Sequence, residues 1–195
     1  MNLSENYKKR LSHLAGLNEN INKKTIGYHG TSAIFDQFKL SKAGSKNNAG
    51  DFGRGLYFST DKDVAKAYAD DSNGYILTVE LDIKNPYTID YQKFSDYKLK
   101  QESGEIDRNL INPEVQKYMD TLNDGGANFS LSDVKDEKNR YIDFFTISDN
   151  LGADKVAAAL EKEGFDSVVV IYGTGKEIVV FNEKQTKISK REKVK

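Results

Sequence analysis

Residues 75–83 read YILTVELDI, and Tyr75, Leu77, Val79, Leu81 and Ile83 alternate there with Thr78, Glu80 and Asp82. A side-chain period of two means a strand with one buried face and one wet face. Four shorter stretches join it as strands: 25–30, LYFS at 56–59, DSVVVIY at 166–172 and KEIVVFN at 176–182. QTKIS at 185–189 reads as a further strand and KREKVK at 190–195 as frayed, with residues 191–195 set apart as a tail. Between the early and late strands lies a stretch without strand alternation. Regular strand–helix–strand repetition is missing, so the order suits an α+β domain and not a doubly wound sheet.

The helical segments are placed by their punctuation. Tyr7, Leu11, Leu14 and Ile21 fall near one face of a helix over 4–22, which makes residues 1–24 an N-terminal helix or linker. Residues 41–55, SKAGSKNNAGDFGRG, are a glycine- and asparagine-rich loop. Thr60 followed by Asp63 resembles a capping box and starts a short helix over 61–70. Pro86 ends the long strand, and residues 91–147 read as a helical insert. Within it, Asn112-Pro113 opens a helix to about Leu122, and a second helix runs through 132–146. Asp149 or Asn150 caps a last helix that stops at Gly164. One domain over 25–190 accounts for these elements.

Several classes of chemistry are excluded by composition. The chain of 195 residues suits one sizeable core. With 29 basic and 30 acidic side chains the net charge is −1, so no global basic field demands a nucleic-acid partner. Cysteine is absent, which removes thiolate nucleophiles, disulfides and thiolate metal sites together. Two histidines sixteen positions apart make a poor zinc set, and no metal is expected. The start MNLSENYKKR has no apolar core of a secretory signal, and no run is long enough for a membrane span. The expectation is a cytoplasmic monomer without a membrane partner; delivery by a phage or another non-secretory route would leave no trace.

Three short strings remain: YHGTS at 28–32, GRGLYFSTDKDVAKAYA at 53–69 and GKEIVVFN at 175–182. Each sets one polar or aromatic side chain among buried neighbours: His29, Tyr57 with Tyr68, and Glu177. A histidine beside a glycine is often a satisfied core residue. Both tyrosines could be core aromatics, since Val64, Ala65, Tyr68 and Ala69 form one helix stripe. Glu177 could face water at a sheet edge. A carboxylate opening an apolar strand is otherwise costly to desolvate unless it is paired or useful.

In that order, the three strings resemble the ADP-ribosyltransferase superfamily, and within it the His-Tyr-Glu branch of diphtheria toxin and the poly(ADP-ribose) polymerases. YILTVELDIKNPYTID and LEKEGFDSVVV look like the small transferase domains of phage and prophage polyvalent proteins. The resemblance covers about residues 25–190, with 91–147 unmatched. It implies a split β core of two packed sheets with flanking helices, and NAD as substrate in the cleft between them. By the same resemblance His29 holds the adenosine ribose, Gly30 offers backbone groups to the nicotinamide amide, and Tyr57 and Tyr68 sandwich the nicotinamide ring. Thr31 and Ser59 belong to the same cofactor-binding set, and Glu177 is catalytic. The Arg-Ser-Glu branch carries an acidic residue or glutamine two positions before its catalytic glutamate, where this chain has Gly175.

These residue types suit the chemistry. The nicotinamide–ribose bond of NAD breaks with oxocarbenium character, which a nearby carboxylate stabilises. Aromatic faces hold a flat cationic ring. The implied activity is transfer of ADP-ribose to an acceptor protein or nucleic acid. Alternatives on the same fold are an NAD glycohydrolase, a catalytically silent binding or virion module, and an RNA 2′-phosphotransferase, which would want a basic groove.

Overall fold

A computed structural model describes residues 24–43, 50–69, 73–107, 110–133, 142–173 and 175–194. The helix expected over 4–22 lies outside them. The described strands are β1 (Thr25–Thr31), β2 (Leu56–Ser59), β3 (Tyr75–Leu81), β4 (Pro86–Asp90), β5 (Ser167–Tyr172), β6 (Gly175–Val180) and β7 (Thr186–Lys193). The described helices are α1 (Lys62–Ala67), α2 (Tyr91–Ser103), α3 (Pro113–Asp124), α4 (Phe144–Leu151) and α5 (Ala153–Lys162). Among these residues no helix is long and apolar enough to cross a membrane.

The strands hydrogen-bond in the order β4-β5-β6-β2-β1-β3-β7. Only β4 and β5 run parallel. The sheet is narrowest in its middle. β1 aligns with β3 over seven residue pairs, but with β2 through the single pair Tyr28–Ser59. At that seam the sheet turns over on itself. Leu56 and Phe58 of β2 and Ile178 of β6 share one core with Leu77, Val79 and Leu81 of β3, although β6 and β3 are two strands apart in the order. Gly27 sits inside the fold-over. A Cβ there would lie 2.8 Å from the Phe58 Cβ and 2.9 Å from the Leu81 Cδ1. The α+β class stands, and the two sheets expected are the two halves of one sheet joined at the seam.

The remaining face of β4–β6 is covered by the helices, with Val168, Val170 and Val179 packed among Tyr118, Phe144 and Leu160. The described helices of 91–147 are therefore part of the main core and not an appendage to it. Pro86 begins a strand where it was expected only to end one. β4 is an edge strand, and Pro86 is its first residue, a position where a missing N–H costs no internal ladder bond.

Other boundaries also move. Asp61, and not Thr60, caps α1, accepting from the Asp63 N–H at 2.8 Å. Asn112 caps α3 as expected, accepting from the Glu114 N–H at 2.7 Å. The helix expected over 132–146 is a short 3-10 turn at Leu131–Asp133 and then α4, which Asp143 caps through the Thr146 N–H at 2.7 Å; 134–141 lie outside the described residues. Asp149 and Asn150 fall inside α4, and the break before α5 is Gly152 at φ 82°. The tail expected to fray is ordered strand. β7 pairs with β3 as far as Lys193, Glu192 accepts from Lys62 at 2.8 Å, and Val194 is buried.

Candidate active site

β6 lies beside β2 in a register that sets Glu177 opposite Ser59 and Val179 opposite Tyr57. Ile178 and Phe58 point into the core between the two sheet halves. By alternation Glu177, Ser59 and Tyr57 share the other face, at the rim of the helix-covered core. Two bonds from the neighbouring residue fix the start of β6. The Thr60 N–H donates to the Lys176 carbonyl, and the Lys176 N–H donates to the Thr60 hydroxyl, both at 2.9 Å.

Glu177 is the third residue of β6 and is half-buried. Burial pushes its carboxyl up to about 7, and the Asp51 carboxylate adds to the rise. Asp51 is itself raised, by burial and then by Asp149. Among the described residues no cation pairs with Glu177 and no donor reaches its oxygens, so nothing there offsets the desolvation.

The Tyr57 hydroxyl is committed to the protein. It donates to the Gly53 carbonyl at 2.8 Å and accepts from the Phe52 N–H at 3.1 Å. Phe52 is fully buried. Together these clip the end of the glycine-rich loop to the start of β2. Gly50 lies against the same hydroxyl at φ 95°, and a Cβ there would come within 2.5 Å of it. Tyr57→Phe keeps the ring but removes two hydrogen bonds, at about 0.5–1.5 kcal/mol each. The expected result is a lower melting temperature and earlier proteolytic cutting in the loop, with the ring's own contacts retained. Identical melting and cutting would show that the loop is held by Phe52 alone.

His29 is half-buried, and its Nδ1 lies 2.9 Å from the Tyr57 carbonyl. A carbonyl only accepts, so Nδ1 carries the proton. Burial pushes the imidazole pKa down, which keeps the ring neutral and leaves Nε2 as an acceptor. The ring meets Phe38 edge-on at 5.1 Å and Phe58 tilted at 5.8 Å. Continued pairing from Tyr28–Ser59 would set Gly30 opposite Tyr57. The imidazole takes that carbonyl instead, and the strands part there.

Gly30 has a packing role. A Cβ there would lie 1.9 Å from the Ala65 carbonyl oxygen, so α1 rests directly on β1. The helix turns Ala65 and Ala69 inward, while Tyr68 is 74% exposed. Tyr68 is therefore not a core aromatic. The Thr31 hydroxyl accepts from the Ala33 N–H at 3.1 Å and so serves its own turn. The fold thus gathers Glu177, Ser59 and Tyr57, attaches His29 through the Tyr57 carbonyl, and leaves Thr31 at the far end of β1. Among the described residues no group of histidines and carboxylates could hold a metal ion.

A family model described as ADP-ribosyltransferase in polyvalent proteins matches residues 23–194. The chain belongs to that ADP-ribosyltransferase family. The match runs through 91–147, in agreement with the place of those helices in the core. No curated protein matches the chain. A solved structure titled "Crystal structure of an anti-CRISPR protein" covers 88% of this chain and 96% of its own at 12% identity, with a TM-score of 0.36. A likeness that loose bears on neither fold nor function.

In this ADP-ribosyltransferase domain Asp51 and Tyr172 beside Glu177, and Tyr91 behind Tyr172, escaped the sequence reading. Asp51 gave no signal inside a glycine-rich loop. Tyr91 looked like the start of an insert. Tyr172 was legible in principle, because Val168, Val170 and Tyr172 alternate onto the face that Glu177 shares. Burial pushes the Tyr172 phenol up, and Glu177 pushes the same way, followed by Tyr91, Asp51 and Tyr68.

Proposed function

We propose that this chain transfers ADP-ribose from NAD to a macromolecular acceptor and releases nicotinamide, with Glu177 as the catalytic carboxylate. The observation that carries the reading is the surroundings of Glu177. Among the described residues two carboxylates, Glu177 and Asp51, interact there beside Tyr57 and Tyr172, and no cation pairs with either. Such a site favours a flat cationic ring and a centre that gains positive charge. NAD brings both, in its nicotinamide and in the ribose carbon that the nicotinamide leaves. Glu177 would accept a hydrogen bond from the adjacent ribose hydroxyl and stabilise the developing charge. Tyr68 and the open face of Tyr57 would hold the ring, Ser59 would line the floor beside Glu177, and Thr31 would close the far end. The His29 Nε2 would accept from the adenosine ribose, and Gly30 would offer its backbone to the carboxamide. Acceptor choice falls to the loops, the glycine-rich one above all, because the helices of 91–147 belong to the core. The chain would act as a monomer in the bacterial or host cytosol.

The test is incubation with NAD labelled in its adenylate half, in bacterial lysate, with Glu177→Gln as control. Label on macromolecules that protease or nuclease releases supports transfer and names the acceptor class. Free ADP-ribose alone would make water the acceptor. No nicotinamide release, with NAD still bound, would leave a silent binding module.

A pH dependence follows. Glu177 works ionised, and its carboxyl in the ligand-free protein stands at about 7. kcat/KM for nicotinamide release should fall about tenfold per pH unit below that value. The stability effect has the opposite sign. A raised folded-state pKa contributes stability that is complete below the ordinary carboxylate value and is lost as pH rises through about 7. Glu177→Gln should therefore flatten the melting temperature across about pH 4.5 to 7. A kcat/KM profile flat from pH 5 to 8 would remove the ionised carboxylate from the rate.

A further inference from the structure

We propose that Tyr172 contacts the substrate: its ring forms the wall of the site above Gly175 and stacks on the flat cationic ring that Glu177 faces. The inference rests on the NAD reading above and adds a residue to it. β5 and β6 pair with Val170 opposite Glu177 and Tyr172 opposite Gly175. Tyr172 is thus the diagonal neighbour of Glu177 on one face, within reach of an aromatic side chain. Its direct partner has no side chain. Among the described residues a Cβ at Gly175 would meet nothing nearer than the Asp61 Cβ at 3.9 Å, so none of them fills the space over that residue.

The other side of the ring is backed. Tyr91 packs against Tyr172 with centroids 5.1 Å apart at 47°. Tyr91 thus supports one side of the Tyr172 ring, and Gly175 sets no side chain against it. The hydroxyl adds a second sign. Tyr57 ties its own to Gly53 and Phe52, and Tyr118 reaches the Ser148 hydroxyl at 3.5 Å. Among the described residues none bonds the Tyr172 hydroxyl, and it is not a buried unpaired atom, so it opens toward solvent. Tyr57 is the less free of the two rings, because its edge is pinned to the loop. The competing account is that Tyr172 only closes the end of the helix-covered core, against which it also packs.

Calorimetry with Tyr172→Ala, Tyr172→Leu and Tyr172→Phe, each in the Glu177→Gln background, decides between them. The probes are NAD, N-methylnicotinamide and ADP-ribose. The alanine and leucine variants should bind NAD and N-methylnicotinamide about three- to tenfold more weakly, with ADP-ribose affinity unchanged. The phenylalanine variant should stay within about twofold. Leucine retains bulk against Tyr91, so it serves if alanine fails to fold. NAD affinity unchanged in the leucine variant overturns the assignment and leaves the proposed function standing. Equal weakening toward ADP-ribose also overturns it, as a general loosening of the fold. If the parent protein binds no NAD, the proposed function falls, and N-methylnicotinamide decides for Tyr172 alone. No binding of that cation by the parent overturns both.

Discussion

Glu177→Gln is expected to bind NAD nearly as the parent does and to release nicotinamide about 10²–10³-fold more slowly. The amide has almost the shape of the carboxylate, so the face shared with Ser59 and Tyr57 is retained. What it lacks is charge, and charge counts most where the bond to nicotinamide is breaking. The ground state loses less, because burial already disfavours the ionised form of this carboxyl in the ligand-free protein. The expected signature is a fall in kcat with little change in NAD affinity. The variant should also melt no lower than the parent at pH 8, since it removes a desolvated carboxylate that no described cation compensates. Nicotinamide release at the parent rate would take Glu177 out of the mechanism. Lost NAD binding with parental melting would make it a ground-state contact instead.

Gly30→Ala is expected to lower stability by about 1–3 kcal/mol, as overpacking in a tight contact does. For a chain of this size that corresponds to a fall in melting temperature of roughly 2–12 °C. The added methyl would stand 1.9 Å from the Ala65 carbonyl oxygen and 2.9 Å from the Ala69 N. Both are backbone atoms at α1, so no side chain can swing aside and the whole helix must lift. Tyr68 caps α1 and moves with it, so activity should fall beyond the loss in folded protein. If Gly30 served only through its backbone groups, alanine would offer the same groups and the protein would melt normally. Parental melting and activity together would show that α1 shifts freely on β1.

Much of the scaffold was legible because its information is local. β1, β2, β3, β5 and β6 each carry their own alternation or apolar run. Asn112-Pro113 marks the start of α3, since a side-chain oxygen before a proline satisfies helix N–H groups wherever it occurs. β4 and the end of β7 were not legible. Pro86 can begin a strand only because β4 lies at the sheet edge. KREK is strand only because β3 offers it a hydrogen-bonding edge.

The site divides along the same line. The sequence by itself determined that His29, Tyr57 and Glu177 sit on or beside buried strands, because each breaks an apolar pattern in which an unpaired polar group is costly. Only the tertiary structure decided what those side chains do. The register of β5 and β6 against β2 sets Tyr172 and Ser59 beside Glu177, and the parted seam gives the His29 ring a backbone carbonyl to hold. The loop clipped by Tyr57 brings Asp51 close enough to raise the Glu177 carboxyl. Register and loop closure join Ser59 and Asp51 to Glu177 across more than a hundred positions, and those contacts arise from packing the whole chain, which no short stretch of it encodes.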